Sequence, residues 1–327
     1  MSKSFPNFLP NSGQHARNSQ DAKPLFNEHF TMNLPNAVSV VIPAKNESQS
    51  IGEVVDALLT LLPEAEILVI DDGSTDETGA IARKSGANVV RHPTSRGNGA
   101  AIKSGIRAAS RDVIVCMDGD GQHQASDVPL LLDRLAEGYD LVVGARSKGA
   151  QANWWRGLAN RFYNKLASWM TGHQIDDLTS GFRAMRRDKI MEFLSLLPNG
   201  FSYPTTSTMA FYRGGYGVAF EGINVARRKN ESGSHINIWK DGGRFLLIIF
   251  RIAVLYSPLK VFFPAALTFF ASGIAYYLYT FFTDGRFTNF GALLLTTSVL
   301  IFLIGLVSEQ ITTLTYLASK QGRQSHD

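Results

Sequence analysis

From residue 38 onward, short apolar runs alternate with helical stripes, and the alternation predicts a strand-helix repeat. Val38-Ser39-Val40-Val41-Ile42, Ile67-Leu68-Val69-Ile70 and Val113-Ile114-Val115-Cys116-Met117 are too brief for helices and rich in β-branched residues, so they are expected as buried strands. Further strands are expected at 88–90 and 141–143. Residues 51–62 repeat apolar positions at helical spacing, and helices ending at Lys84 and Ala109 and spanning 126–137 complete the set. Strands alternating with helices make a mainly parallel sheet with helices on both faces. The expected fold class is therefore α/β, with the polar clusters at strand ends along one rim.

The two ends of the chain break this pattern. Residues 1–36 are rich in Ser, Asn, Gln and Pro without apolar periodicity and are expected to be a disordered tail. Residues 261–282 and 288–308 contain 22 and 21 residues without a charge. As helices each would span roughly 30 Å, the thickness of a bilayer core. Only Thr283-Asp284-Gly285-Arg286-Phe287 separates them, so a tight transmembrane hairpin with both ends on one side is expected; two buried core helices are the alternative. Residues 241–256 set Phe245, Leu246, Ile249 and Ile252 against Arg244 and Arg251, which suits an interfacial amphipathic helix. A helix packed on the core is the other possibility. The expected organisation is a tail over 1–36, a globular domain over 37–235, an interfacial region over 236–260, two transmembrane helices within 261–318 and a second tail over 319–327.

Charge refines that picture. Residues 227–260 hold seven Lys or Arg against two acids, and Lys320 and Arg323 follow the hairpin. By the positive-inside rule both flanks, and the body with them, are expected on the cytoplasmic face of the cell inner membrane. A net charge of +4 on 327 residues is too small to argue for nucleic acid, so the local basic excess suits anionic lipid or a phosphate substrate. Cys116 is the single cysteine, which excludes an internal disulfide. No signal peptide is expected, because the first long apolar run lies near the carboxyl end. The hairpin could support homo-oligomerisation.

The candidate chemistry sits at the strand ends. Asp118-Gly119-Asp120-Gly121-Gln122-His123 delivers two carboxylates separated by a glycine at the tip of the third strong strand. Paired carboxylates suit a hard divalent cation, Mg²⁺ or Mn²⁺, which completes its shell with phosphate oxygens; an acidic loop capping the next helix is the alternative. Asp72, in Asp71-Asp72-Gly73-Ser74-Thr75-Asp76, could accept hydrogen bonds from a nucleobase or ribose, or cap a helix beginning near Thr75. Arg96-Gly97-Asn98-Gly99 could approach a pyrophosphate or be a plain turn. No G-x-G-x-x-G follows the first strand, which argues against a nicotinamide dehydrogenase.

Five ordered motifs resemble those of family 2 inverting glycosyltransferases, and within them the polyprenyl-phosphate branch of the dolichol-phosphate mannose synthase type. They are Pro43-Ala44-Lys45-Asn46-Glu47, the Asp71 to Asp76 run, Asp118-Gly119-Asp120-Gly121-Gln122-His123, Gly144-Ala145-Arg146, and Asp177-Leu178-Thr179-Ser180-Gly181-Phe182-Arg183. The resemblance implies a GT-A fold that binds a nucleotide-sugar of UDP or GDP type. By position, Pro43, Lys45 and Glu47 would line the nucleoside pocket with Asp72 on the base or ribose. Asp118, Gly119, Asp120 and Gln122 would form the donor site, with Asp118, Asp120 and Gln122 holding the metal and, through it, the diphosphate. Arg146 and Arg161 would face the acceptor phosphate, and Arg228 would close over the donor.

Two departures from the family pattern bear on the acceptor. No Asp or Glu occurs between Glu192 and Glu221, where relatives acting on hydroxyls often carry a general base. An alcohol needs that base, whereas a phosphate is already ionised near neutral pH and needs alignment and charge screening. His235 also stands where relatives often place Lys, a departure in the loop that the resemblance would set on the diphosphate. The expected reaction is transfer of a hexose, with inversion, to an undecaprenyl or dolichyl phosphate at the membrane. A membrane transferase acting on a hydroxyl in polysaccharide or glycolipid assembly is the first rival, and a non-catalytic membrane adaptor the second.

Overall fold

The computed structural model describes residues 37–146, 154–200, 202–223, 250, 254, 256–286 and 288–324. The expected amino-terminal tail, Arg228 and His235 lie outside them. So does the expected interfacial segment, apart from Phe250, Val254 and the residues from Tyr256 onward.

Among the described residues seven strands form one sheet in the order β3-β2-β1-β4-β6-β5-β7. The strands are β1 (Val38–Ala44), β2 (Glu66–Asp71), β3 (Asn88–Arg91), β4 (Val113–Cys116), β5 (Leu141–Arg146), β6 (Arg183–Arg186) and β7 (Val218–Ile223). β1 pairs in parallel with β2 and β4, β2 with β3, and β5 with β7. β6 enters antiparallel between β4 and β5, so the sheet is mixed but mainly parallel, as the alternation of elements predicts.

The apolar runs are buried because helices cover both faces. On one face Ile51, Val55 and Leu58 of α1 (Ile51–Leu61) and Leu131 and Leu135 of α4 (Val128–Ala136) pack on Val40, Ile42 and Val115. On the other, Ile102 and Ile106 of α3 (Asn98–Ala108), Phe193 of α6 (Arg187–Phe193) and Phe211 of α7 (Tyr203–Gly214) pack on Val41, Ile70 and Ile114. The short α2 (Thr78–Lys84) follows β2, and α5 (Trp154–Thr171) packs through Tyr163, Ala167 and Met170 on Met209 of α7.

The carboxyl-terminal apolar segments form the expected helical hairpin, α8 (Pro258–Asp284) and α9 (Asn289–Gln324). Gly285, in the left-handed region at φ 60°, closes α8 by donating its N–H to the Phe281 carbonyl. Small residues let the helices approach: Gly273 lies against Leu295, Gly305 against Phe262, and Ser298 Oγ donates to the Ala266 carbonyl at 2.9 Å. Only 11% and 17% of the most apolar windows are buried, and Phe263, Leu267, Phe282, Leu300 and Ile304 are exposed. Two core helices of a soluble domain would hide such residues, so both are helices long and apolar enough to cross a membrane. α9 continues 16 residues beyond Ser308, and its Tyr316 is buried among Phe193, Leu194 and Phe211 of the globular body.

Candidate functional site

Because β1, β2 and β4 are parallel, their carboxyl ends meet on one rim, where open α/β sheets bind ligands. The loop after β1 is bolted to the loop after β2. Asn46 sits at φ 56°, a conformation asparagine tolerates, which lets it present both backbone and side chain to the neighbouring loop. Its N–H donates to Ser74 Oγ at 3.0 Å, and its Oδ1 accepts the Thr75 N–H at 2.9 Å. The Glu47 N–H donates to Thr78 Oγ1 at 2.9 Å. Pro43 and Glu47 are half-buried along this seam, and Lys45 is exposed.

The loop after β4 carries the paired acids. Asp118, Asp120 and Gln122 are half-buried, while Gly119 is buried where a Cβ would meet Ile42, Ile51 and Ala44 at 3.3 to 3.4 Å. Ser50 Oγ donates to the Gly119 carbonyl at 2.8 Å, and Gly121 turns the chain at φ 74°. Asp120 Oδ1 accepts the Gln122 N–H at 3.1 Å, which tightens the turn. His123 is buried and stacks on Phe182 with ring centroids 5.1 Å apart. Burial favours its neutral form and outweighs the pull of Asp118 and Asp120, so its pKa falls below the ordinary histidine value. α4 begins at Val128 with Asp127 at its N-cap, so neither Asp118 nor Asp120 caps that helix. Beside this loop a cleft of about 590 Å³ opens against α1, lined by Val54, Ala57, Leu61, Met117 and His123.

Asp72 does something its spacing did not reveal. It does not cap α2, whose N-cap is Glu77. Its two oxygens instead receive His92 Nδ1 at 2.7 Å, Ser95 Oγ at 2.8 Å and the backbone N–H groups of Arg96 and Gly97 at 2.8 and 2.9 Å. Burial pushes this carboxyl up, but these donors outweigh it and hold the pKa at about 2. A base or ribose hydroxyl would therefore share oxygens that already accept four protein bonds. The Gly97 turn also leads into protein: the start of α3 abuts the loop before α7, with the Ala100 N–H on the Asn199 carbonyl at 3.1 Å. A Cβ at Gly99 would stand 2.1 Å from the Pro198 carbonyl oxygen. Between the pyrophosphate and plain-turn alternatives, the packing favours a turn made for close backbone approach.

Arg146, at the end of β5, is held in a fork. Its Nε donates to Asp177 Oδ2 at 2.7 Å and its Nη2 to Asp177 Oδ1 at 3.0 Å and Thr179 Oγ1 at 2.6 Å. The bond to Asp177, ahead of desolvation, and the charges of Asp177 and Asp118 raise its pKa above the ordinary arginine value. Arg161 is exposed on α5. Gly181 borders Asp118, since a Cβ there would lie 3.1 Å from Asp118 Oδ2 and 3.4 Å from Tyr203 Oη.

Arg183 was visible in sequence only as one letter of a motif. It is fully buried opposite Cys116 in the β4–β6 ladder. Its Nη1 donates to the Pro204 carbonyl at 2.9 Å and Ser207 Oγ at 2.6 Å, and its Nη2 to the Ser180 carbonyl. An arginine inside a sheet runs against apolar patterning, so only its spacing after Ser180-Gly181 marked it.

Among the described residues no group of three or more His, Cys, Asp or Glu side chains is placed to hold a metal by itself. The donor set at the β4 loop still fits Mg²⁺ or Mn²⁺ carried on a nucleotide. Asp118, Asp120 and Gln122 offer hard oxygens, and such ions take one or two carboxylates with substrate phosphates filling the remaining positions.

Comparison with known proteins agrees with this architecture. Residues 39–194 match the family described as Glycosyl transferase family 2, and residues 257–314 match the GtrB C-terminal hairpin. The chain is 30% identical over 253 residues to glycosyltransferase AglJ of Haloferax volcanii, covering 76% of this chain and 82% of that protein. It is 31% identical over 216 residues to the polyprenol monophosphomannose synthase of Mycolicibacterium smegmatis, covering 60% of this chain and 82% of that one. Among solved structures, glucosyl-3-phosphoglycerate synthase from Mycobacterium tuberculosis in complex with Mg²⁺ and uridine diphosphate superposes with a TM-score of 0.53 at 26% identity, over 66% of this chain and 77% of that chain.

Proposed function

The chain belongs to glycosyl transferase family 2, and from that premise we propose that it transfers a hexose from a UDP- or GDP-sugar to a polyprenyl phosphate, undecaprenyl or dolichyl, at the inner face of a membrane that α8 and α9 cross. The observation that carries the acceptor class is the chemistry of α7. Its first residue, Tyr203, borders Gly181 beside Asp118, yet residues 193–220 contain no carboxylate. Its buried hydroxyls are turned inward: Ser207 and Thr208 donate to the Pro204 carbonyl at 2.9 and 3.0 Å, and Thr206 to the Ser202 carbonyl at 3.1 Å. With no base on this helix to take a proton, the acceptor that fits is one that arrives ionised. A lipid phosphate does so, and the apolar hairpin would hold the chain at the bilayer in which such a lipid resides. The polyprenol monophosphomannose synthase relative supports the same choice.

In the proposed reaction a phosphate oxygen of the lipid attacks the anomeric carbon from the face opposite the diphosphate. The bond from that carbon to the diphosphate oxygen breaks, and the nucleoside diphosphate leaves with its electron pair, inverting the carbon. Asp118, Asp120 and Gln122 would hold a divalent cation, which when bound screens charge on the diphosphate. Gly181 adds no side chain of its own next to Asp118. Asp177 fixes Arg146 near that acid pair, from where its positive charge would steady the anionic groups during transfer. The seam from Pro43 to Glu47 and the turn held by Asp72 would shape the nucleoside pocket. Arg161 and Arg228 would contribute cationic contacts to acceptor and donor.

The test is direct. The full chain in vesicles containing undecaprenyl phosphate, supplied with Mn²⁺ and a panel of UDP- and GDP-hexoses, should form a sugar-linked lipid phosphate with at least one donor. Asp120→Asn should lower its formation by about 10²-fold or more. Failure with every donor, or product formation untouched by Asp120→Asn, would count against the proposal.

A further inference from the structure

α7 touches the globular body at one end and the membrane hairpin at the other. Its 12 residues span about 18 Å, and residues 203–211 are all buried, which makes the helix a stiff internal member. At its start, the fully buried Arg183 ties the Pro204 carbonyl and Ser207 to the Ser180 carbonyl, next to the Gly181 that borders Asp118. At its last turn Arg213 reaches into the hairpin. Arg213 Nη2 lies 3.3 Å from Glu309 Oε1 and 3.3 Å from Thr313 Oγ1, with its guanidinium 5.0 Å from the centre of the Tyr316 ring.

Glu309, Thr313 and Tyr316 fall at helical spacing on one face of α9, so Arg213 reads a full turn and more of that helix. The second oxygen of Glu309 accepts the Leu259 N–H at 3.3 Å, at the start of α8, where helix N–H groups lack internal partners and favour negative charge. One carboxylate thus joins α7, α8 and α9. It is also the first charge after the 20 uncharged residues that open α9, which sets it where that helix leaves the bilayer.

We propose that Arg213 and Glu309 are positioning residues: their pair fixes the tilt of the hairpin against α7, and so places a bilayer-embedded acceptor phosphate at the rim beside Asp118. This rests on the lipid-phosphate reading given above. It predicts a loss confined to acceptors held by the membrane. A short acceptor that diffuses in from water needs no such alignment.

The experiment uses the full chain in phosphatidylglycerol–phosphatidylethanolamine vesicles with two acceptors, undecaprenyl phosphate in the bilayer and citronellyl phosphate in solution. Glu309→Gln, which keeps size and an acceptor for Leu259, and Arg213→Ala should each lower kcat/KM for the embedded acceptor at least tenfold. Both should stay within twofold of the parent for the soluble acceptor. Arg213→Lys should recover most of the loss, and the double variant should be no worse than the worse single one, because both break the same contact. Equal losses with the two acceptors, or multiplying losses in the double variant, would overturn the joint while leaving the acceptor class intact. A parent protein that glycosylates neither acceptor would overturn the lipid-phosphate reading and the joint with it.

Discussion

Arg146 and Asp177 grip each other through two parallel hydrogen bonds, 2.7 and 3.0 Å long, between the end of β5 and the loop that leads to β6. Fork geometry of this kind orients a guanidinium far better than a single contact. Asp177 is buried, so removing its charge leaves a sheltered cation without its partner. Asp177→Asn should cost about 2 kcal/mol, below the usual range for a fully buried pair because Arg146 is partly solvated, and should slow transfer at least tenfold. Chemical denaturation and initial rates check the two effects separately.

Acid should loosen the 95–97 turn that Asp72 holds. Asp72 is held at about 2, below the ordinary aspartate value near 3.8, so its folded-state pKa is depressed. A depressed carboxylate lends stability that is complete above the unfolded pKa and lost as pH falls from there through the folded value. The melting temperature should therefore drop between pH 4 and pH 2, and Asp72→Asn should flatten that drop while lowering stability at pH 7. Thermal melts of both proteins across that window decide the matter; a parallel acid drop in the two would exclude Asp72 as a contributor.

The junction between α3 and the loop before α7 should be sensitive to a single methyl group. A Cβ at Gly99 would stand 2.1 Å from the Pro198 carbonyl oxygen and 2.7 Å from that of Gly200, both backbone atoms. Gly99→Ala should cost about 2–3 kcal/mol. Gly200, where a Cβ meets nothing within 4 Å, should accept alanine with little change. Equilibrium unfolding of the two variants side by side makes the comparison.

At the β4 loop, Asp118→Asn and Asp120→Asn should each weaken Mn²⁺-dependent nucleotide binding and lower transfer by about 10²-fold or more. Titration calorimetry with Mn²⁺ and nucleoside diphosphate reads the binding part. Unchanged affinity in both variants would remove these acids from the proposed metal site.

Much of this architecture could be read from the chain because it rests on burial. β1, β2 and β4 are covered on both faces, so their apolar runs stand out, and the acids at their tips mark the rim. β6 was not readable: it is four residues, Arg-Ala-Met-Arg, and its first arginine is fully buried, where it donates hydrogen bonds to acceptors on α7, 21 to 25 positions away. The partners of Asp72 were hidden for a similar reason, since His92 and the Ser95 to Gly97 turn lie 20 to 25 residues on and meet it only once β3 is in place. The hairpin was legible from its uncharged lengths. Its docking through Glu309 and Tyr316 was not, because local pattern cannot say which body a helix leans on.

Whether the acceptor arrives already ionised is decided by one comparison. With the productive nucleotide-sugar and Mn²⁺ fixed, transfer to undecaprenyl phosphate and to undecaprenol is measured in the same vesicles from pH 6 to pH 9. Sugar-lipid product is expected from the phosphate alone, at a rate that follows ionisation of the phosphate and not that of a protein base. Comparable product from the alcohol would overturn the lipid-phosphate reading.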